Sequence, residues 1–477
     1  MNFKIIFNVL GGLLRLLGIL MIIPLAVAFY YREPLYPFFV AVAVSVITGT
    51  ILSFRYKSDE EWKQKEGFAI VALGWFAVAV FGAIPFVLDG ISLINALFES
   101  MSGFTTTGAT IFVDIESHSK SILFWRSMTQ WLGGMGIIML FIAILPKLGV
   151  AGRQLFRAEA PGPTEDKLKP RIRETAKILW MVYVVISVIE VVVLLVAGLS
   201  LYDAVTHTFA TMACGGFSPY SNSIAAFNSP MIEGIITLFM FVAGANFALH
   251  YRMLYVDKKS LINDNEFKFY TFIIIFATVL LAILLWSDMG ESVFGSLRYA
   301  LFQVVSITTT TGFATTDFNL WSDSARMVLL TVMFVGGSAG STAGGIKAVR
   351  VLLLLKYARK ELFKSIHPKA VKSVKFNNKT VPDEVLQSIV AFVVIYLLIF
   401  LVSSVMLAIL GMDIISSATA SIATLGNIGP AFNQVGPMAN YDVVPLLGKL
   451  VLIGNMWIGR LEVFTVIVML TPEFWKK

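Results

Sequence analysis

Long apolar stretches recur along the chain. Tyr36 to Phe54 holds no charge across 19 residues, and Gly67 to Leu88 none across 22. About 20 apolar residues, wound as a helix, cross the hydrocarbon of a bilayer. Stretches of this kind near 5–30, 36–54, 67–88, 122–145, 177–199, 230–250, 268–287, 326–350, 384–410 and 446–470 predict ten transmembrane helices. Shorter apolar segments lie between them, of about 8–12 residues, too short to span. Three align as Asn95-Ala96-Leu97-Phe98, Asp203-Ala204-Val205-Thr206 and Tyr299-Ala300-Leu301-Phe302.

Each short segment runs into a small loop closed by glycine. The four loops are Phe104-Thr105-Thr106-Thr107-Gly108, Met212-Ala213-Cys214-Gly215-Gly216, Thr308-Thr309-Thr310-Thr311-Gly312 and Leu425-Gly426-Asn427-Ile428-Gly429. Their closing glycines are spaced by 108, 96 and 117 residues. The expected fold is an all-α membrane protein. Four pseudo-repeats of helix, pore half-helix, filter loop and helix surround one central pore, after two extra N-terminal helices. The divisions fall at 1–58, 59–150, 151–257, 258–365 and 366–477.

Non-helical backbone at membrane depth is tolerated only where protein buries it or where it lines a watery cavity. Four such breaks facing one another make a pore. Rings of backbone carbonyls replace the hydration shell of a potassium-sized cation, and the negative C-terminal ends of the half-helices favour a cation there. The candidate ion-binding carbonyls are those of Thr106, Thr107, Gly108, Cys214, Gly215, Gly216, Thr310, Thr311, Gly312, Asn427, Ile428 and Gly429.

Composition agrees with a membrane location. Of 477 residues 57% are hydrophobic and 14% charged, against about 25% charged in a soluble domain. The single cysteine, Cys214, excludes an intramolecular disulfide. The net charge of +7 is concentrated in alternate loops. Segment 146–177 carries eight Lys or Arg and segment 350–379 nine, whereas Leu199–His250 and Leu407–Gly448 carry none. The positive-inside rule places the basic loops in the cytoplasm, with both termini inside and all four glycine loops outside. Anionic lipid headgroups are natural partners of such loops; nucleic acid is not implied.

Two intramembrane features need an account. Val335 to Gly345 is too rich in glycine and Ser/Thr for a robust helix. Gly336, Gly337, Ser338, Gly340, Ser341, Gly344 and Gly345 are expected to form a gate loop beneath the filter; the alternative is a close helix crossing. Arg460 lies in the last span, where a charge must face water or the bundle interior, and is expected to hinder cations until the gate moves; the alternative is a structural pair with Glu462 or with backbone carbonyls. Glu99 and Gln303, at matching places in two short segments, are expected to brace the filter. Glu190, in the fifth span, has no assigned role. Gly336-Gly337-Ser338-Ala339-Gly340 formally matches a hydrolase nucleophile elbow. That motif needs a strand-to-helix turn with His and acid in reach, and here it follows a helical span. No enzyme is expected.

The chain resembles the Trk/Ktr/HKT superfamily of potassium transport proteins, and most closely its TrkH type. The resemblance rests on Ser102-Gly103-Phe104-Thr105-Thr106-Thr107-Gly108-Ala109, Thr310-Thr311-Gly312-Phe313-Ala314-Thr315, Gly426-Asn427-Ile428-Gly429-Pro430 and Gly459-Arg460-Leu461-Glu462. It implies potassium as the transported ion, no cofactor, a bacterial inner-membrane location, a homodimer, and a cytosolic nucleotide-binding regulatory ring of the TrkA type. The second and fourth loops depart from the Thr-Thr-Gly form, which predicts weaker selection than four identical loops. All four keep the glycine, which in this superfamily favours potassium over sodium. The other reading is a secondary active symporter coupling potassium to sodium or protons.

Overall fold

The computed structural model describes residues 1–57, 63–143, 168–290 and 292–476. Most of the basic 146–177 segment and the divisions at 59 and 151 lie outside these residues.

Among the described residues, six helices are long and apolar enough to cross a membrane: Phe3–Tyr31, Tyr36–Arg55, Lys65–Leu88, Lys177–Val196, Asn265–Asp288 and Asp383–Ile409. Two bent pairs bring the number to eight. Three of the ten expected spans are therefore not straight helices. The stretch near 230–250 bends by 94° between Pro230–Ala243 and Phe247–Tyr255. Gly244 stops the first helix there, and the Asn246 side chain caps the second by accepting from the Ala248 N–H at 2.8 Å. The stretch near 446–470 bends by 119° between Leu446–Arg460 and Phe464–Leu470. Glu462 and Val463 stand in the left-handed region at the break (φ 60° and 39°), a costly place for a β-branched residue. The stretch near 326–350 is helical only at its flanks, Asp323–Met333 and Ala348–Ile366. A further helix, Lys120–Ala143, is long enough but less apolar, because it turns Arg126, Ser127, Thr129 and Gln130 into the interior.

Four short helices hold the centre: Leu93–Phe104, Leu201–Met212, Val293–Thr308 and Ile414–Leu425. The chain enters each by the same signal. A left-handed glycine (Gly90, Gly198, Gly290, Gly411; φ 65–100°) is followed two residues later by Ser92, Ser200, Ser292 or Asp413 at the helix N-cap. Glycine reaches positive φ without steric cost and reverses the chain. The Ser200, Ser292 and Asp413 side chains each accept an N–H of the first helical turn, the usual N-cap device. The first short helix packs between Lys120–Ala143 and Leu446–Arg460, and the second between Lys120–Ala143 and Leu168–Val196. The third lies against Asn265–Met289 and Pro230–Ala243, and the fourth between Asp383–Ile409 and Leu446–Arg460.

At the N-terminus, Phe3–Leu20 crosses Tyr36–Arg55 backbone to backbone. A Cβ on Gly11 would stand 2.6 Å from the Gly49 carbonyl oxygen, and one on Gly49 would stand 2.6 Å from that of Gly11. Small residues let membrane helices approach this closely. Gly49→Leu is expected to push the pair apart at about 1–3 kcal/mol. The expected readout is a melting temperature several degrees lower in detergent, with ion flux retained in the cold. An unchanged melting temperature would overturn this account of the crossing.

Candidate functional site: a closed ring of four loops

The four loops share one backbone form. After each short helix, the residue two before the closing glycine is left-handed: Thr106, Cys214, Thr310 and Asn427, with φ between 52° and 59°. The closing glycines Gly108, Gly216, Gly312 and Gly429 are left-handed too, with φ from 75° to 96°. Non-glycine residues rarely adopt this region, so something must hold them there. The same bond does so four times. Thr107 N–H donates to Ser102 O, Gly215 N–H to Ala210 O, Thr311 N–H to Ser306 O and Ile428 N–H to Ala423 O, each at 2.8 Å. This is the six-to-one bond of a Schellman helix ending.

The loops close on one another in cyclic order. A Cβ on Gly108 would collide with the Gly215 carbonyl, on Gly216 with that of Thr311, and on Gly312 with that of Ile428. On Gly429 it would stand 2.6 Å from the carbonyl oxygen of Thr107. All twelve candidate residues thus meet in one place. On one side the four glycines line an open cavity with Tyr220 and Tyr441.

The four loops are braced in three ways. In the first and third, hydroxyl pairs join Thr105 to Thr107 and Thr309 to Thr311, both at 2.8 Å. The second loop lacks such a pair; Gln130 reaches it from Lys120–Ala143, donating to Gly215 O at 2.6 Å and accepting from Phe217 N–H at 3.0 Å. The fourth is tied by Asn427 Nδ2, which donates to Thr107 Oγ1 at 2.9 Å and Met456 O at 3.1 Å. The Tyr441 hydroxyl donates to Gly429 O at 2.7 Å.

Further bonds hold the chain segments beyond the glycines. Glu99 is fully buried and accepts from Thr110 Oγ1 and Ile111 N–H, both at 2.9 Å, and from Arg126 Nε at 2.5 Å. Arg126 also donates to Ser218 O at 2.8 Å and lies 3.7 Å from the Phe217 ring. Gln303 donates to Thr315 Oγ1 at 3.3 Å. His207 holds the matching place in the second short helix, its Nε2 3.0 Å from Ser218 Oγ. Glu99, His207 and Gln303 each precede their loop glycine by nine residues. At the rim, Lys449 contacts both Asn95 and Asp442 at 2.9 Å. That ammonium holds the Asp442 carboxyl below the usual carboxylate range.

Residues 334–347 form a non-helical segment against the helix end of the loops, away from the cavity. Gly336, Gly340 and Gly345 are left-handed (φ 77°, 73° and 76°). Ser338 N–H donates to Gly244 O at 2.8 Å, and Ala339 N–H to Glu266 Oε1 at 2.7 Å. Three ties run from this segment to the loops. Thr342 Oγ1 donates to Met212 O at 2.9 Å, Gly344 N–H donates to Thr310 Oγ1 at 2.7 Å, and Thr342 Oγ1 lies 3.2 Å from Cys214 Sγ. A Cβ on Gly344 would meet Gly426 O, and one on Gly337 would stand 2.6 Å from the Ala343 Cβ. Ser341 Oγ donates to Ser338 O at 2.6 Å.

Arg460 is buried and donates to Thr342 O at 2.8 Å and to Gly133 O at 3.4 Å. Glu462 pairs instead with Arg350, at 2.6 Å. Glu190 is fully buried, and its carboxylate faces the Thr211 hydroxyl. The sequence reading missed Gln130, Arg126, His207 and Thr342. Only His207 left a signal, its nine-residue offset. The arrangement suits holding a dehydrated cation on backbone oxygens. The elbow-like segment around Ser338 follows a helix, so it does not meet the strand requirement of a nucleophile elbow.

Known proteins share this architecture. The chain is 41% identical to the Trk system potassium uptake proteins TrkH of Salmonella typhimurium and Escherichia coli over 489 aligned positions, covering all of each chain. It is 38% identical to TrkH of Halomonas elongata, again over the whole of both. The crystal structure of the potassium transporter TrkH from Vibrio parahaemolyticus superposes with a TM-score of 0.92 at 38% identity, over the full length of both chains. Residues 36–477 match the TrkH family, and with these full-length relatives they place the chain in that family of cation transport proteins, which are transporters and not enzymes.

Proposed function

We propose that the protein takes up potassium across the bacterial inner membrane through a channel-like pore on the axis of the four loops. The carrying observation is the cyclic order of glycine-to-carbonyl contacts, 108 to 215, 216 to 311, 312 to 428 and 429 to 107. Contacts that return to their start enclose an axis. Potassium sheds its water against the carbonyls of the twelve loop residues, and the C-terminal ends of the short helices stabilise its charge. The membrane potential, worth ~2.3 kcal/mol per charge per 100 mV, drives accumulation. The full-length TrkH relatives, which are potassium uptake proteins by name, support potassium as the ion.

Segment 334–347 is the gate in this reading, and Arg460 is its tether and its charge barrier. Ten spans, four repeats, cytoplasmic termini and basic cytoplasmic loops complete the arrangement. It works as a homodimer, and the Trk system names of the relatives support a regulatory partner of the nucleotide-binding ring type. Broken helices at mid-membrane also suit a coupled symporter. Four matched loops on one side favour the pore instead.

Three outcomes test this reading in liposomes holding only the protein. Potassium gradients alone should drive uptake, with sodium a poor substitute; flux that demands a sodium or proton gradient would establish the symporter. Gly312→Ser should lower the potassium-to-sodium ratio by about tenfold, equivalent to ~1.4 kcal/mol of discrimination. An unchanged ratio would remove the third loop from the filter. Arg460→Ala, and Gly344→Ala with Gly345→Ala, should alter flux at equal protein level, the arginine variant by raising leak. Wild-type flux in both would dismiss the gate.

A further inference from the structure

The position just before the closing glycine carries Thr107, Thr311 and Ile428 in three loops and Gly215 in the second. A loop without a side chain there has nothing to pack behind the filter and little to fix its peptide. Glycine also populates both hands of backbone space, so this peptide is the easiest of the four to rotate.

Gln130 occupies the vacancy. A Cβ built on Gly215 would lie 2.5 Å from Gln130 Cδ and 2.7 Å from its Oε1. The amide therefore stands where the side chains of the other three loops begin. It is fully buried. Its Nε2 donates to Gly215 O at 2.6 Å, and its Oε1 accepts from Phe217 N–H at 3.0 Å, so it clamps the loop on both sides of Gly216. The helix that carries it is wedged between two loops. Gly133, one turn on, packs against the Phe104 carbonyl, and Gly134 lies beside Ala213.

We propose that Gln130 is a specificity-determining positioning residue. Its amide supplies, from the neighbouring unit, the side chain that position 215 lacks, and so holds the Gly215 carbonyl in the ring. The proposal rests on the carbonyl-filter reading above. The donated N–H also takes up part of the negative charge of that one oxygen. The ring is therefore electrically uneven, and its sodium rejection depends on an amide outside all four loops.

The test is potassium and sodium flux through the full-length protein in liposomes, at matched protein level and melting temperature. Gln130→Met keeps length and volume but donates nothing. It loses both the bond to Gly215 O and the one from Phe217 N–H, and should lower the potassium-to-sodium ratio by at least about tenfold, the scale of a single lost hydrogen bond, with potassium flux still measurable. Gln130→Ala should do the same, and adding Gly215→Thr to it should restore the ratio by returning a side chain to the loop. Should Gln130→Met fail to fold, Gln130→Ala and the double variant decide together: a ratio lowered in the first and restored in the second supports the proposal, and a wild-type ratio in the first, or a ratio the second leaves lowered, overturns it. A wild-type ratio in Gln130→Met, with Gly312→Ser still lowering it, overturns the role of Gln130 and leaves the filter standing. If neither variant moves the ratio, the filter reading itself falls.

Discussion

Everything at the centre of this fold depends on satisfying backbone where no water reaches it. A polar group in hydrocarbon without a partner costs several kcal/mol, and four helices stop inside the protein. The shared six-to-one bond at 2.8 Å resolves each ending. It consumes a helix-end carbonyl and forces one residue into the left-handed region. That turn leaves the next carbonyls outside the helix ladder, free to serve the ring. The loop geometry is thus a consequence of how the helices end. The glycines follow from it, since each faces the carbonyl of the next loop with no room for a Cβ.

The same constraint explains the 334–347 segment. It has no helix of its own to take up its N–H groups, so it borrows acceptors. These include Gly244 O, Glu266 Oε1 and Thr310 Oγ1, and the Lys347 N–H turns back to Val335 O at 2.9 Å. Of these acceptors Thr310 Oγ1 belongs to the loop ring, and Gly244 packs against Thr309. Moving the segment must disturb the ring, and disturbing the ring must loosen the segment. Arg460 adds a further anchor through Thr342 O.

Much of this was legible before any coordinates. The hydropathy of Tyr36–Arg55 or Asp383–Ile409 leaves no choice but a membrane helix, and the four glycine loops stand out because they recur. The breaks at Gly244 and at Glu462–Val463 were hidden. One glycine within an apolar run barely changes its hydropathy, and a strained valine has no signature in composition. The Gly-x-Ser or Gly-x-Asp signal before every short helix, from Gly90–Ser92 to Gly411–Asp413, is present in the letters, but each copy is too short to stand out until the four helices are aligned. Gln130 is a different case. Its partner lies 85 residues away, and only the folded chain brings an amide to a missing side chain.

The ring is made by one chain, and its braces are of three kinds. In a channel of identical subunits, any substitution strikes every quarter at once, so small errors are multiplied and most are fatal. Here a change falls on a single quadrant while three keep their shape. Threonine pairs, an amide from outside and an asparagine can therefore coexist around one axis. Each quarter is free to drift on its own, and under the filter reading ion preference can be adjusted in fractional steps.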